Sequence, residues 1–168
     1  MGKERRAARD DVSPHWQEAV AGGPNGIDDG GLEVLADSEC LRLLESVPIG
    51  RIAFTADALP AVQPVNFVLH KGFVVFRTRP GSKLDTAMRN SVVAFEADDF
   101  DATTETGWSV TVVGRAEVVE DQAWLGELAE LQLRPWAPGD RQHYVAISIG
   151  IMHGRRIADG ESRSVSAS

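Results

Sequence analysis

The sequence predicts a mainly β domain in which antiparallel strands close into a barrel, with a few flanking helices. Three observations lead to this fold class. About six or seven segments have the apolar and polar alternation or the β-branched content of strands. Short turns rich in glycine, proline and aspartate join several of them, which makes neighbouring strands antiparallel. Only three segments have helical periodicity, so we expect strands to form most of the fold.

The composition fits one globular domain. The chain has 168 residues, of which 43% are hydrophobic, and a formal net charge of -8. This acidic balance argues against a nucleic-acid partner, because binding to a phosphate backbone needs a basic face. The single cysteine, Cys40, excludes an internal disulfide and fits a reducing compartment. No apolar run approaches the roughly 20 residues that span a bilayer, so we expect a cytoplasmic protein without a membrane partner.

The two ends differ from the middle. Residues 1–31 are rich in glycine and charge and show no apolar period, which predicts a flexible arm or one pinned by a partner. Trp16 is the one large aromatic of this arm. The folded domain is expected at residues 32–158, followed by a polar tail at 159–168.

A helix is predicted first. Asp37 or Ser38 can cap it, and it should end at Val47 because Pro48 follows. One apolar face is expected to contain Cys40, Leu41, Leu44 and Val47.

Three strands come next, at Arg51–Thr55, Val62–Val68 and Phe73–Thr78. Asp57–Pro60 and Lys71-Gly72 are turn sequences that make hairpins of them. Pro64 lies inside the second strand and predicts an edge or a bulge there.

The second half alternates between strands and helices. Ser82 is placed to cap a short helix, Lys83–Arg89, whose Leu84, Ala87 and Met88 should face inward. A strand at Val92–Glu96 is followed by an acidic loop at Asp98–Thr106.

A long strand is then predicted at Trp108–Glu120, with a bulge at Gly114. Asp121 should open a helix that runs to about Leu131. Residues 134–140 form a loop, and the strands Tyr144–Ser148 and Ile151–Ile157 close the sheet.

Four polar side chains near the end of the third strand form a candidate phosphate site. Arg77, Thr78, Ser82 and Lys83 lie within seven residues, around the flexible Gly81. Two cations and two hydroxyls are the groups that a dianionic phosphate needs, and Lys83 stands at a predicted helix start. The alternative is that Arg77 and Arg79 are ordinary exposed charges at the end of the strand and that Ser82 is only a helix cap.

Several segments together resemble a known family. They are GRIAF at 50–54, PAVQPVNF at 60–67, GFVVFRTRPGSK at 72–83, GWSVTVVGRAEVV at 107–119, RPWAPGDR at 134–141 and GRRI at 154–157. In this order and spacing the chain resembles, from Leu41 to Ile157, the pyridoxamine 5'-phosphate oxidase-like family of FMN-binding split barrels. It is most similar to the small actinobacterial members.

The resemblance implies a homodimer with FMN in two clefts at the subunit interface. It implies that the phosphate is held by Arg77, Thr78, Ser82 and Lys83. It implies that the isoalloxazine edge meets Val65, Asn66 and Phe67, and that the partner subunit contributes Trp108 and Ser109. A loop that covers the ring would contain Trp136 and Arg141. His143 follows this loop and could approach the flavin or donate a proton.

The implied function is that of an FMN-dependent oxidoreductase with a small-molecule redox substrate. The arginine-and-histidine segment that ends the true oxidase is not matched by GRRIADGESRSVSAS, so we expect that pyridoxamine phosphate is not the substrate. One alternative is a deazaflavin coenzyme, with Arg79 and Lys71 as additional cations. Another is non-catalytic storage of FMN or haem, and haem would need an axial ligand such as His70, His143 or Met152. None of the four histidines has a metal-binding spacing.

Overall fold

The computed structural model describes residues 26–157, so most of the predicted arm, including Trp16, and the predicted C-terminal tail lie outside the described residues. In the described part the strands are β1 Glu33–Leu35, β2 Ile49–Ala56, β3 Leu59–His70, β4 Phe73–Thr78, β5 Ser91–Asp101, β6 Thr106–Val118, β7 His143–Ser148 and β8 Ile151–Ile157. The helices are α1 Asp37–Ser46, α2 Lys83–Ala87 and α3 Gln122–Ala129.

Six strands close into an antiparallel barrel, which confirms the predicted fold class. Their order is β6-β5-β2-β3-β4-β7, and β7 pairs back onto β6. Strands β8 and β1 extend the sheet outward from β6. The last residue of β4, Thr78, pairs with the first residue of β7, His143. The loop that follows β4 and the loop that precedes β7 therefore lie side by side.

Two apolar clusters stabilise the barrel. The inner one fills the barrel and includes the fully buried Ile52, Phe76 and Phe95. The outer one lies between the β4–β7 face and α3, around Val75 and Leu128. Successive residues of β4 therefore point alternately into the barrel and toward α3, as the two-residue period of a strand requires.

Gly114 marks the point where β6 changes partner. Residues 107–113 of β6 pair with β8, and residues 116–118 pair with β7. The predicted bulge is wrong, because the ladder with β5 runs through Gly114 without a break. Glycine is required there for another reason: a Cβ would meet the Ser148 carbonyl oxygen at 1.7 Å.

The acidic loop predicted at Asp98–Thr106 is also wrong over most of its length. β5 continues through Asp101 and β6 begins at Thr106, so the turn contains only residues 102–105. Asp98 faces outward and forms an ion pair with Arg51 on β2, at 2.9 Å. The low strand propensity of aspartate is overcome here by cross-strand pairing.

Helix α1 differs from its prediction in cap and face. Its N-cap is Ala36, which has no capping side chain, and not Asp37 or Ser38. Leu43 is buried with Cys40 and Leu44, whereas Leu41 is 37% exposed. The predicted caps of the other helices are confirmed, with Ser82 accepting from Asp85 N–H and Asp121 accepting from Trp124 N–H.

Pro64 has the predicted edge position. It lies in the part of β3 that pairs with β2, before the ladder between β3 and β4 begins at Phe67. Strand β1 was not predicted. Next to it, Asp28 pairs with Arg155 of β8, so part of the expected arm packs on the sheet.

Candidate functional site

One cleft opens between the end of β4 and the last residues of the loop that leads into β7. We call it the arginine cleft; it has a volume of about 320 Å³. It is lined by Gln63, Thr78, Arg79, Ser82, Leu84, Pro138, Gly139, Asp140 and Arg141. The barrel closure brings together the two loops that form its walls, residues 79–82 and residues 138–141.

Two hydroxyls lie together in this cleft. Thr78 Oγ1 and Ser82 Oγ are 3.1 Å apart, and Ser82 Oγ also accepts from Asp85 N–H at 3.1 Å. Only one of the two hydroxyl protons is used in the bond between them. The other remains available to donate to a ligand oxygen.

Two arginines of the cleft have no acidic partner in the part of the chain that the structure describes. Arg79 and Arg141 make no ion pair within residues 26–157, and Arg141 Nε is buried without a hydrogen-bond partner. Five other arginines of the same range do form ion pairs: Arg42, Arg51, Arg89, Arg155 and Arg156. Two uncompensated guanidinium groups beside two hydroxyls fit an anionic group such as a phosphate.

Arg77 lies on the other face of β4 from Thr78. It is paired with Tyr144 in the β4–β7 ladder, and its guanidinium carbon lies 5.0 Å from the centroid of that ring. Arg77 Nε is buried, and no residue between 26 and 157 accepts a hydrogen bond from it. The structure therefore does not bring Arg77 into the arginine cleft with Thr78 and Ser82.

Asn66 holds the loop that follows α3. Its Nδ2 donates to the Arg134 carbonyl at 2.8 Å, and its Oδ1 accepts from Trp136 N–H at 3.3 Å. It lies one position before the β3–β4 ladder, on the same outer face as Arg77. We call the group of Asn66, Arg77, Trp136 and Tyr144 the outer shelf. Trp136 is 66% exposed there.

The remaining predicted residues of β3 and α2 have other surroundings. Val65 and Phe67 point into the barrel core and are buried, so only their backbone groups could contact a ligand. Lys83 Nζ lies 3.2 Å from Asp57 Oδ2, and both side chains are more than three-quarters exposed. Such an exposed pair contributes little, about 0–1 kcal/mol, so the ammonium group is free to exchange partners.

Trp108 and Ser109 do not line the arginine cleft of the same chain. Trp108 is packed in the barrel core, and Ser109 lies between Asp98 and Arg155 in the sheet. Both precede Ala116, where the β6–β7 contact begins, by seven or eight residues, which is about 25 Å along the strand at 3.3 Å per residue. Trp108 shares the barrel core with Val65 and Phe67, but neither Trp108 nor Ser109 lines the arginine cleft.

A buried carboxylate was missed in the sequence. Asp85 of α2 is 2% exposed; its Oδ1 lies 2.7 Å from His143 Nδ1, and its Oδ2 accepts from Gly81 N–H at 3.0 Å. Burial raises the pKa of Asp85, but the hydrogen bonds from His143 and Gly81 outweigh it and leave the pKa below its ordinary value. The Ser82-x-x-Asp85 spacing, which is that of a capping box, was the available signal.

The residues that a deazaflavin coenzyme or haem would need do not lie together. Lys71 is paired with Glu127 at the far end of β4 from Arg79. His70 also faces Glu127, and His143 bonds Asp85. Within residues 26–157 no group of three or more histidine, cysteine, aspartate or glutamate side chains is arranged to hold a metal ion. Among the helices of this range, none is long and apolar enough to cross a membrane.

Comparisons with known proteins agree with this architecture. The "Uncharacterized protein Rv0080" of Mycobacterium tuberculosis is 44% identical over 124 residues, which cover 71% of this chain and 81% of that protein. A solved structure described as the FAD binding protein from Mycobacterium smegmatis is 42% identical, with a TM-score of 0.64, and covers 74% of this chain and 96% of its own. A conserved protein of unknown function from Corynebacterium diphtheriae is 33% identical, with a TM-score of 0.63 and coverage of 76% and 98%.

The family itself follows from the sequence profile described as pyridoxamine 5'-phosphate oxidase, which matches residues 36–156. This range contains all eleven candidate residues and both walls of the arginine cleft. The chain belongs to the pyridoxamine 5'-phosphate oxidase family.

Proposed function

We propose that this chain is a flavin-binding redox protein that holds the phosphate of a flavin nucleotide in the arginine cleft. The observation that carries the proposal is the pair Arg79 and Arg141, which have no acidic partner within the described residues and flank two hydroxyls. The FAD-binding description of the 42% identical Mycobacterium smegmatis structure supports it.

Each group of the cleft has a separate role in this proposal. Arg79 and Arg141 neutralise the phosphate, and one of the Thr78 and Ser82 hydroxyls donates a hydrogen bond to it. Lys83 leaves its exposed pair with Asp57 and adds a third cation. The buried Nε atom of Arg141, which has no hydrogen-bond partner among the described residues, is the structural feature that a bound anion would satisfy.

The ring would lie toward the outer shelf. Asn66 and Trp136 fix the loop there, and the backbone of residues 65–67 offers polar groups to the isoalloxazine edge. A bound flavin supplies the hydride or electron chemistry, and the protein supplies anchoring and orientation. We assign no obligatory acid or base, and we propose a small-molecule redox substrate other than pyridoxamine phosphate.

We further propose that the protein is a homodimer with the cofactor between subunits. Trp108 and Ser109 do not line the cleft of their own chain, so in this proposal they would serve the partner's cleft. The outer faces of β3 and β5 expose Val62 and Val92, which are 67% and 55% exposed. A second copy that covers this face would remove apolar surface from water.

Two flavin nucleotides carry the phosphate that the cleft needs. FMN is the one that the sequence resemblance implies, and FAD is the one that the similar Mycobacterium smegmatis structure is described as binding. Mass spectrometry of the small molecule released from purified full-length protein separates them. We expect FMN or FAD, together with the absorbance of an oxidised flavin. A deazaflavin, haem, or no bound molecule combined with no binding of added FMN or FAD would contradict the proposal.

Reduction of the bound flavin by a nicotinamide donor is measured separately. The flavin-loaded protein is mixed with NADH or NADPH under anaerobic conditions, and the flavin absorbance is followed. We expect bleaching of the oxidised flavin band. A flavin that binds tightly and is reduced by neither donor would instead indicate a carrier or storage protein.

A further inference from the structure

We propose that Asp140, together with Gln63, makes the arginine cleft selective for phosphate esters of polyhydroxy alcohols, because these two side chains bind hydroxyl groups next to the phosphate. The inference deepens the proposed function, on which its extension to the ribityl chain of a flavin nucleotide rests. It starts from a carboxylate that lines an anion-binding cleft, although a phosphate would repel it.

Asp140 lines the cleft together with two cations but forms no ion pair with them. Arg79 and Arg141 line the same cleft, and no ion pair among residues 26–157 joins either of them to Asp140. Asp140 Oδ2 accepts a hydrogen bond from Gln142 Nε2 at 2.5 Å. Asp140 Oδ1 has no hydrogen-bond partner in the part of the chain that the structure describes. The carboxylate can therefore still accept hydrogen bonds from a ligand in the cleft.

A phosphate dianion cannot use this carboxylate. Both groups are negatively charged acceptors without a proton to share, so they repel each other. An alcohol hydroxyl donates a hydrogen bond to a carboxylate oxygen and can still accept one from a guanidinium group. A cleft lined by two arginines and one carboxylate therefore fits an anion that has hydroxyl groups close to it.

Gln63 adds a neutral side chain that also binds hydroxyls. It lines the cleft from β3, and its carboxamide makes no hydrogen bond to any residue between 26 and 157. The ladder between β3 and β4 begins only at Phe67, so β4 does not pair with β3 at Gln63. A carboxamide offers two donors and one acceptor group. Gln63 and Asp140 thus bring hydroxyl-binding groups to the cleft from two different elements.

The cleft has room for more than a phosphate. Its volume of about 320 Å³ lies at the lower end of the range for small-molecule pockets, about 300–1,000 Å³. Leu84 and Pro138 add apolar lining that the carbon atoms of an ester chain can contact. Cations, hydrogen-bonding groups and apolar atoms in one cleft suit a short polyol phosphate. The ribityl phosphate of a flavin nucleotide is such a group.

Two ligands without a flavin ring test this selectivity in the full-length protein. Ribitol 5-phosphate and n-pentyl phosphate have the same phosphate group and the same chain length, and they differ only in the hydroxyls. Isothermal titration calorimetry gives both dissociation constants. We expect the wild type to bind ribitol 5-phosphate at least about tenfold more tightly, as one hydrogen bond to a charged group implies. Equal affinities, or tighter binding of pentyl phosphate, would overturn the inference and leave the phosphate anchor standing.

Asp140→Asn should change the two affinities in opposite directions. Pentyl phosphate should bind roughly fivefold more tightly, because one negative charge is removed from an anion site. Ribitol 5-phosphate should bind somewhat more weakly, because the loss of the charged acceptor lowers the ratio of the two affinities by about tenfold. A general loosening of the cleft would weaken both ligands. The opposite responses therefore separate hydroxyl binding from a structural role.

Asp99→Asn is the matched control, because Asp99 is an exposed aspartate of β5 that does not line the cleft. This variant should keep the wild-type ratio. Gln63→Leu should lower the ratio by about fivefold, as loss of a hydrogen bond between neutral groups implies. Thermal unfolding of each variant separates loss of binding from loss of folding.

The inference is wrong if the Asp140→Asn protein folds and keeps the wild-type ratio, and flavin binding then still stands. If Asp140→Asn does not fold, Gln63→Leu decides, since an unchanged ratio in that variant would overturn the inference. Selective binding of ribitol 5-phosphate that depends on Asp140, in a protein that binds neither FMN nor FAD, would support the inference and contradict the proposed function. A wild type that binds neither phosphate ester and no flavin would contradict both.

Discussion

Arg77 and Thr78 are adjacent in the chain but face opposite sides of β4. Thr78 is 1% exposed and lines the arginine cleft, whereas the guanidinium of Arg77 lies over the Tyr144 ring on the outer shelf. The pleat of the strand causes this division. The residues that the sequence suggests as one phosphate cluster therefore lie on two neighbouring surfaces, and Arg79 and Arg141 are the positively charged residues that line the cleft.

Arg141→Ala should weaken the binding of FMN and leave that of riboflavin nearly unchanged. Removal of one guanidinium from a charge-assisted hydrogen bond to phosphate corresponds to at least about a tenfold loss of affinity. Fluorescence titration of the flavin measures both affinities. Arg42→Ala is the control, because Arg42 is an exposed arginine already paired with Glu39. Equal FMN affinities for the two variants would remove Arg141 from the site.

Asn66→Ala should loosen the loop of residues 134–136 without unfolding the barrel. The substitution removes both hydrogen bonds that Asn66 makes to this loop, and the expected cost is about 1–3 kcal/mol in the free energy of unfolding. Hydrogen exchange should become faster in the loop and stay slow in β4. Asn66→Asp keeps the acceptor for Trp136 N–H and should have the smaller effect on that amide. Unchanged exchange in both variants would contradict this role.

Gly114→Ala should strongly destabilise the fold. The added Cβ would lie 1.7 Å from the Ser148 carbonyl oxygen, a backbone atom that can move only with β7, so we expect a loss of about 3 kcal/mol. Gly126→Ala is the matched control, since nothing lies within 4 Å of its Cβ position in α3. There the better helix propensity of alanine should stabilise by about 0.5–1 kcal/mol. Urea denaturation of both proteins measures the two changes in the free energy of unfolding. Similar losses of stability would contradict the close contact between Gly114 and Ser148 where β6 changes partner.

Glu39 should make stability depend on pH in the acidic range. Hydrogen bonds from Arg42 and Arg156 lower its pKa from 4.5 to about 2. Because the folded-state pKa is below the unfolded value, the contribution is complete above about pH 4.5 and is lost as the pH falls toward about 2.

Urea midpoints measured across this range should therefore fall less steeply for Glu39→Gln than for the wild type. Glu45→Gln is the control on the same helix, because Glu45 makes no ion pair with the residues that the structure describes. Parallel curves for Glu39→Gln and the wild type would show that the ion pairs of Glu39 with Arg42 and Arg156 do not contribute to stability.

The hairpins could be predicted from the sequence because their signals are local. Lys71 and Gly72 both have positive φ, as a two-residue hairpin turn requires, and Phe73–Thr78 has the predicted bounds. The length of β5 could not be predicted, because Asp98 within it is paired with Arg51 of another strand, 47 positions away. The positions of Arg141 and Asp85 also depend on barrel closure, which brings residues about 60 positions apart into contact.

Flavin affinity with and without the phosphate tests the central claim most directly. Equilibrium dissociation constants of the full-length wild type are measured for FMN and for riboflavin, which differ only in that group. We expect FMN to bind at least about a hundredfold more tightly, as two arginines and a hydroxyl acting on a dianion imply. Equal affinities for the two flavins, or binding of neither, would contradict a phosphate anchor in the arginine cleft.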